Sequence, residues 1–234
     1  MNIGGFQKSS LIDYPGKISC IVFLTGCNFD CPYCHNPDLV RYGRENTSAI
    51  DPKELEAFLV KRQGLLDGVV ITGGEPTLQT DLTALCRRIK SMGFSVKLDT
   101  NGSRPRVLAQ LIEEDLLDYV AMDLKTDPAR YSPLISRTCK PSSIRSSVQA
   151  ILSSGLPHEF RTTCVWPLVD DDAVEVMAGL IEGARHHALQ RVQHKKVPVL
   201  HPEFFDTYDW FIDEPTLQRY KARFAGSVQT CTIR

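Results

Sequence analysis

The chain has 234 residues, 42% of them apolar, enough for one large domain or two small ones with a sizeable core. Its 27 lysines and arginines nearly cancel 28 aspartates and glutamates, which excludes a general electrostatic attraction to nucleic acid or an anionic membrane. Asp13 and Pro15 interrupt the N-terminal stretch where an export signal needs an apolar run, and nothing downstream reaches the roughly 18 apolar residues of a membrane span, so a cytoplasmic protein is expected.

In chain order, short β-rich runs at 18–24, 68–72, 95–99, 119–124 and 159–166, with a weaker one at 189–193, predict strands. Amphipathic patterns between them predict helices. In the first, Asp51 serves as cap, Pro52 fits the first turn, Glu54 completes a capping box, Leu55, Phe58 and Leu59 form the buried face, and Gly64 ends the helix. The pattern recurs at 80–93, 104–115 and 142–155, and two further candidates lie at 171–185 and 214–224. Residues 125–140 and 195–213 hold prolines and aromatics without clean periodicity and read as loops, either plain surface connections or covers over a site.

Strands alternating with helices imply right-handed βαβ units. About six units fit the length, fewer than the eight of a closed barrel, so an α/β partial (βα)6 TIM-like barrel is expected, with reactive residues at the carboxyl ends of the strands. The motifs follow that rule: "TGC" after the first strand, "GGEP" after the second, "TNG" after the third, "KT" after the fourth. With no linker, repeat or low-complexity run, one domain spanning 1–234 is expected, its core at about 16–195 and a C-terminal extension at about 196–234.

The chemistry centres on "TGCNFDCPYCHNPDL", residues 25–39, where Cys27, Cys31 and Cys34 fall within eight positions and His35 follows directly. A reducing compartment favours metal binding or catalysis for such a group over disulfides. Covalent haem attachment through Cys31, Cys34 and His35 leaves Cys27 idle and belongs to exported proteins; a redox pair of Cys31 and Cys34 also leaves Cys27 unexplained. Structural zinc would need Cys34 and the adjacent His35 to converge on one ion, and the chain has no second cysteine pair to replace His35. The fourth possibility is an iron–sulfur cubane held by three thiolates, which leaves one iron open to a small molecule. Cys20, Cys86 and Cys164 lie in apolar patterns and read as small buried hydrophobes; Cys139 and Cys231 have no assigned part.

Downstream, Gly73, Gly74 and Glu75 form a turn with an obvious structural use, and Asp99, Thr100, Asn101, Asp123 and Lys125 stand at the ends of the third and fourth strands. Such groups suit ribose hydroxyls or a cation; the plain alternatives are turn chemistry for "TNG" and a surface salt bridge between Asp123 and Lys125. Arg161, inside the fifth β-run, needs an anionic partner, either a ligand carboxylate or a barrel acid.

The cysteine spacing resembles the Cys-x3-Cys-x2-Cys signature of the radical S-adenosylmethionine (SAM) superfamily, and "GGEP" looks like that family's GGE element. The longer strings "GGFQKSSLIDYPGKISCIVFLTGCNFDCPYCHNPDLV", "GLLDGVVITGGEPTLQ", "GFSVKLDTNGSRP", "DYVAMDLK" and "EFRTT" resemble its glycyl-radical-enzyme activating branch, most closely the activating proteins of anaerobic ribonucleoside-triphosphate reductase. The resemblance implies that Cys27, Cys31 and Cys34 hold a 4Fe-4S cluster and that its open iron takes SAM. It implies that the glycines approach the methionine end, that Tyr33 lies near the adenine, and that His35 shapes the loop or flanks the adenine. Reductive cleavage of SAM would give a 5′-deoxyadenosyl radical that abstracts hydrogen from a backbone glycine of the partner reductase, with a flavodoxin- or ferredoxin-type protein as electron donor. No nucleophile or general base is required. Leu24 and Asp30 depart from the more polar and more basic neighbours of the pattern. Two other classes stay open: a radical SAM enzyme acting on a small molecule, like 7-carboxy-7-deazaguanine synthase, and a non-catalytic zinc or redox module.

Overall fold

The computed structural model describes residues 2–41, 50–193 and 197–234; Lys195 and Lys196 of the expected C-terminal loop lie outside them. In chain order the elements are β1 (Ile3–Ser10), β2 (Ser19–Leu24), α1 (Pro37–Arg41), α2 (Pro52–Arg62), β3 (Gly68–Gly73), α3 (Leu82–Ser91), β4 (Ser95–Thr100), α4 (Pro105–Glu113) and β5 (Tyr119–Asp123). They continue with α5 (Pro141–Ser153), β6 (His158–Cys164), α6 (Asp171–Leu180), β7 (His186–Arg191), α7 (Glu203–Thr207), α8 (Glu214–Ala225) and β8 (Thr230–Ile233). All six expected strands and all six expected helices are present, with ends shifted by a few residues. Contacts divide the chain into two compact units, Met1–Asn28 with Asp38–Thr100 and Arg106–Val120, and Phe29–Pro37 with Asn101–Pro105 and Ala121–Arg234.

In the first unit β2, β3 and β4 run parallel, with Ser19 opposite Gly68, Leu24 opposite Gly73, and Ile71 opposite Leu98. Cys20, Val22 and Leu24 are fully buried beside Ile21, and Val69, Val70 and Ile71 do the same in β3, because a parallel strand is covered on both faces. The covering comes from Leu55 and Leu59 of α2, Leu82, Cys86 and Ile89 of α3, and Leu108 and Leu111 of α4. Asp51 caps α2 by accepting from the Lys53 amide at 2.9 Å. The sequence reading overlooked β1, which pairs antiparallel with β2. Its glycine pair and its lysine and serines blur the alternation that marks a strand.

In the second unit β6 and β7 are parallel, Phe160 opposite His187 and Cys164 opposite Arg191. β8 then adds parallel to β7, with His186 opposite Thr230. Thus Cys231 belongs to a four-residue strand whose pattern was too short to recognise. The core here is Phe160, Val165, Val174, Met177, Leu189 and Phe224. Cys20, Cys86 and Cys164 are buried thiols, each pushed up to about 12 by desolvation, as small hydrophobes should be. Among the described residues no helix is long and apolar enough to cross a membrane.

Candidate functional site

The motifs fall at or just beyond the carboxyl ends of their strands, with Gly73, Thr100 and Asp123 the last residues of β3, β4 and β5. In the first unit, β2 hands over to Thr25, Gly26 and the half-buried Cys27, and β3, which ends at Gly73, hands over to Gly74 and Glu75. These two exits are laced together. The Gly74 amide donates to the Leu24 carbonyl at 2.7 Å, the Glu75 amide donates to the Gly26 carbonyl at 2.8 Å, and Gln79 Nε2 donates to the Thr25 carbonyl at 2.9 Å. The glycines are explained by this contact: Gly73 has φ +115°, where a Cβ would lie 2.4 Å from Leu24 O, and a Cβ on Gly74 would lie 2.1 Å from Gly26 O. What approaches them is the chain's own backbone.

Glu75 is buried at 1% exposure. Its Oε1 accepts from the Thr77 amide at 3.1 Å, from the Thr77 hydroxyl, and from Thr100 Oγ1 at 2.7 Å. Thr100 therefore ties the end of β4 to the GGE turn. Asp99 faces Lys97, a strand lysine only 2% exposed whose ammonium donates to it at 2.6 Å and also sits 5.8 Å from the ring centroid of Tyr119. A lysine so deeply buried requires that carboxylate.

The second unit holds Cys31, Tyr33, Cys34, Asn101, Asp123, Lys125 and Arg161. Asn101 Oδ1 accepts from the Ser103 amide at 2.9 Å, so the turn chemistry expected of "TNG" is present. Asp123, at the end of β5, accepts from Lys125 Nζ on Oδ2 at 2.8 Å and from Arg161 Nε on Oδ1 at 2.7 Å. Of the two partners considered for Arg161, the structure supplies the barrel acid. The two cations hold the Asp123 carboxyl well below the usual carboxylate range against the opposing effect of burial, and the paired Lys125 is held above the ordinary lysine range. Lys125 also reaches the cysteine loop: its ammonium lies 5.8 Å from the centroid of the Tyr33 ring, and its amide donates to Tyr131 Oη at 3.1 Å.

Tyr33 is 3% exposed, and among the described residues its hydroxyl has no hydrogen-bond partner. Buried hydroxyls are rarely left this way, so the position fits a site whose last polar group comes from a bound molecule. The donor set fits a cluster as well. All eight cysteines are thiols outside disulfides, and burial raises the Cys34 thiol, which favours its becoming a thiolate only against a metal's charge. Among the described residues no three His, Cys, Asp or Glu side chains gather as around a single ion; in a cubane each thiolate takes its own iron.

Two features escaped the sequence reading. Asp30, one of the departures, accepts from His201 Nε2 at 2.8 Å, and the amides of Leu200 and His201 donate to the carbonyls of Cys34 and Pro32 at 3.1 Å each. The expected C-terminal loop is thus fastened to the cysteine loop. His35 lines an open pocket of about 360 Å³ with Thr163, Gln190, Arg191, Gln193 and Arg234. Neither carries a local sequence signal, since each pairs residues far apart in the chain.

Comparison with known proteins accounts for this arrangement. Residues 21–181, well over half of the chain, match the family model of the radical SAM superfamily. A relative from Methanocaldococcus jannaschii, provisionally named a glycyl-radical enzyme activating enzyme, is 34% identical over 201 residues, 82% of this chain and 80% of its own. The pyruvate formate-lyase-activating enzyme of Streptococcus mutans is 31% identical over 182 residues, 73% of this chain and 67% of its own. Among solved structures, Streptococcus suis SuiB bound to its precursor peptide SuiA superposes with a TM-score of 0.65 at 14% identity, covering 91% of this chain and 47% of SuiB. That likeness carries the fold, a partial TIM-like barrel of parallel strands and helices. The superfamily works with a 4Fe-4S cluster and SAM, and the chain, an enzyme, belongs to the radical SAM superfamily in the branch of the glycyl-radical enzyme activating enzymes.

Proposed function

We propose that this enzyme generates a glycyl radical on anaerobic ribonucleoside-triphosphate reductase, in the cytoplasm, with electrons from a flavodoxin- or ferredoxin-type protein, and that residues 1–234 act as one catalytic domain. The observation that carries the reading is the run of motifs from residue 4 to 165 that resembles reductase activating proteins, joined to identity above 30% with relatives named for the same class of work.

In this reading Cys27, Cys31 and Cys34 hold the cluster, one eight-residue stretch supplying all three thiolates. When bound, the reduced cluster and SAM supply a 5′-deoxyadenosyl radical for hydrogen abstraction. The chain's own residues bind and orient. Tyr33, with its buried hydroxyl, and Lys125, beside Tyr33, donate to the polar parts of SAM; Arg161, oriented by Asp123, faces its carboxylate. Glu75, Thr100, Asp99 and Asn101 are engaged with neighbouring groups and fix the exits of β3 and β4, while Gly73 and Gly74, whose close approach is to Leu24 and Gly26, keep side chains off this turn where the methionine end of SAM is received. No side chain acts as nucleophile or base.

The test is anaerobic. The reconstituted, reduced enzyme is mixed with SAM and the reductase, and electron paramagnetic resonance is read for a glycyl radical. A doublet on the reductase supports the reading; SAM cleavage without any such signal refutes this partner.

A further inference from the structure

The segment fastened to the cysteine loop by Leu200 and His201 continues into an uncommonly apolar surface. Trp166, two residues past the end of β6, is 45% exposed, and Phe211 is 62% exposed. They belong to one patch: the Trp166 amide donates to the Trp210 carbonyl at 3.0 Å, the Trp166 and Tyr208 rings lie 6.3 Å apart, and those of Trp210 and Phe211 5.8 Å apart. Large aromatics left in water are costly, and the geometry of these is fixed by backbone pairing rather than left loose.

The segment that carries most of this patch has one sign of charge. Residues 203–214, "EFFDTYDWFIDE", carry five carboxylates and no lysine or arginine, in a chain whose charges otherwise balance. Three of the five are occupied: Glu203 faces His201, Asp213 caps α8, and Glu214 accepts from Gln218 and Arg191. Asp206 and Asp209 are exposed, and among the described residues neither has an ion-pair partner. Rigid aromatic anchors beside unneutralised carboxylates form a typical protein interface, aromatics supplying burial and charges supplying steering.

We infer that this acidic, aromatic surface is where the radical-receiving protein docks, through a loop bearing lysine or arginine beside an apolar side chain. The inference rests on the proposed function. It gives the hydrogen bonds from Leu200 and His201 a purpose, since a partner gripping 206–211 is held by short backbone to the carbonyls of Pro32 and Cys34.

The experiment uses anaerobically reconstituted enzyme, titrated against an anaerobic ribonucleoside-triphosphate reductase and against a pyruvate formate-lyase, at low and high ionic strength. Asp206→Lys with Asp209→Lys, and separately Phe211→Ser, are expected to weaken binding of the activated partner about tenfold or more, with iron content and partner-free SAM cleavage at the wild-type level. Asp206→Asn with Asp209→Asn keeps shape and should flatten the salt dependence of binding. Unchanged affinity, salt dependence and radical yield in all three variants overturns the docking surface while the functional reading stands. A wild-type enzyme that cleaves SAM yet leaves no glycyl radical on either protein overturns both.

Discussion

Asp123 receives Arg161 and Lys125 on its two separate oxygens, at 2.7 and 2.8 Å, so one carboxylate orders two cations at the end of β5. Asp123→Asn keeps the shape but removes the charge that justifies both cations. The site is only partly buried, with side-chain exposures of 15% for Arg161 and 27% for Asp123, so the cost is set below that of a fully buried pair, at about 2–3 kcal/mol of stability. Denaturant unfolding measures it, and SAM affinity should fall with it because Arg161 and Lys125 lose their common orientation. An unchanged unfolding midpoint would show that the trio is not an ordering element.

Gly74 makes a sharper prediction. A Cβ there meets the Gly26 carbonyl at 2.1 Å, backbone against backbone, with no flexible side chain to yield. Gly74→Ala should therefore cost about 3 kcal/mol or more and push apart the exits of β2 and β3, displacing the residue before Cys27. Iron bound after anaerobic reconstitution should fall along with the melting temperature. Gly179, in α6 with nothing within 4 Å of its Cβ position, is the control: Gly179→Ala should stabilise by about 0.5–1 kcal/mol and leave iron content alone.

What was legible in the sequence follows from how local each signal is. The cysteine spacing, the GGE turn and the cap at Asp51 are written in a few consecutive residues, and the alternation of strand and helix is repeated six times. The role of Gly73 and Gly74 was legible only in part: composition says that something comes close, and only the fold says that it is Leu24 and Gly26. Asp30 with His201 is separated by 171 residues, and the strand carrying Cys231 is four residues long, so neither leaves a periodic trace. Arg161 with Asp123 lies between these extremes, since burial of an arginine in a strand demands an acid without saying which.

His187 gives stability a pH dependence. It is fully buried in β7 against Phe224, with ring centroids 4.0 Å apart, and burial pulls its pKa from 6.5 down to about 3. Thr162 Oγ1 donates to the Leu124 carbonyl at 2.8 Å and lies 3.0 Å from His187 Nε2, so Nε2 carries the ring proton and donates, and the ring is neutral. At pH 7 the folded chain holds it neutral and the unfolded chain mostly does. As pH falls below 6.5 the unfolded chain binds a proton that the folded chain refuses, so stability falls, by about 2 kcal/mol at pH 5. His187→Gln should be less stable at pH 7 yet lose less between pH 7 and pH 5. Parallel curves for wild type and variant would contradict this.

The cysteines divide into two chemical classes that one assay separates. Cys20, Cys86 and Cys164 are held as neutral thiols with values near 12, inside the core, and a neutral thiol is a poor ligand. Cys86→Ala should cost about 1–2 kcal/mol through lost packing and retain full iron and sulfide. Cys27→Ala, Cys31→Ala and Cys34→Ala should each retain the fold, since the first and third are half-buried in loops, but lose bound iron and sulfide after anaerobic reconstitution. Cys34 adds a second readout. Because burial raises its thiol, it enters reconstitution protonated, and binding iron must expel that proton. Proton release during loading, followed in weakly buffered solution, should therefore be smaller in Cys34→Ala than in wild type and unaltered in Cys86→Ala. Equal release and equal iron in Cys34→Ala and wild type would remove Cys34 from the ligand set.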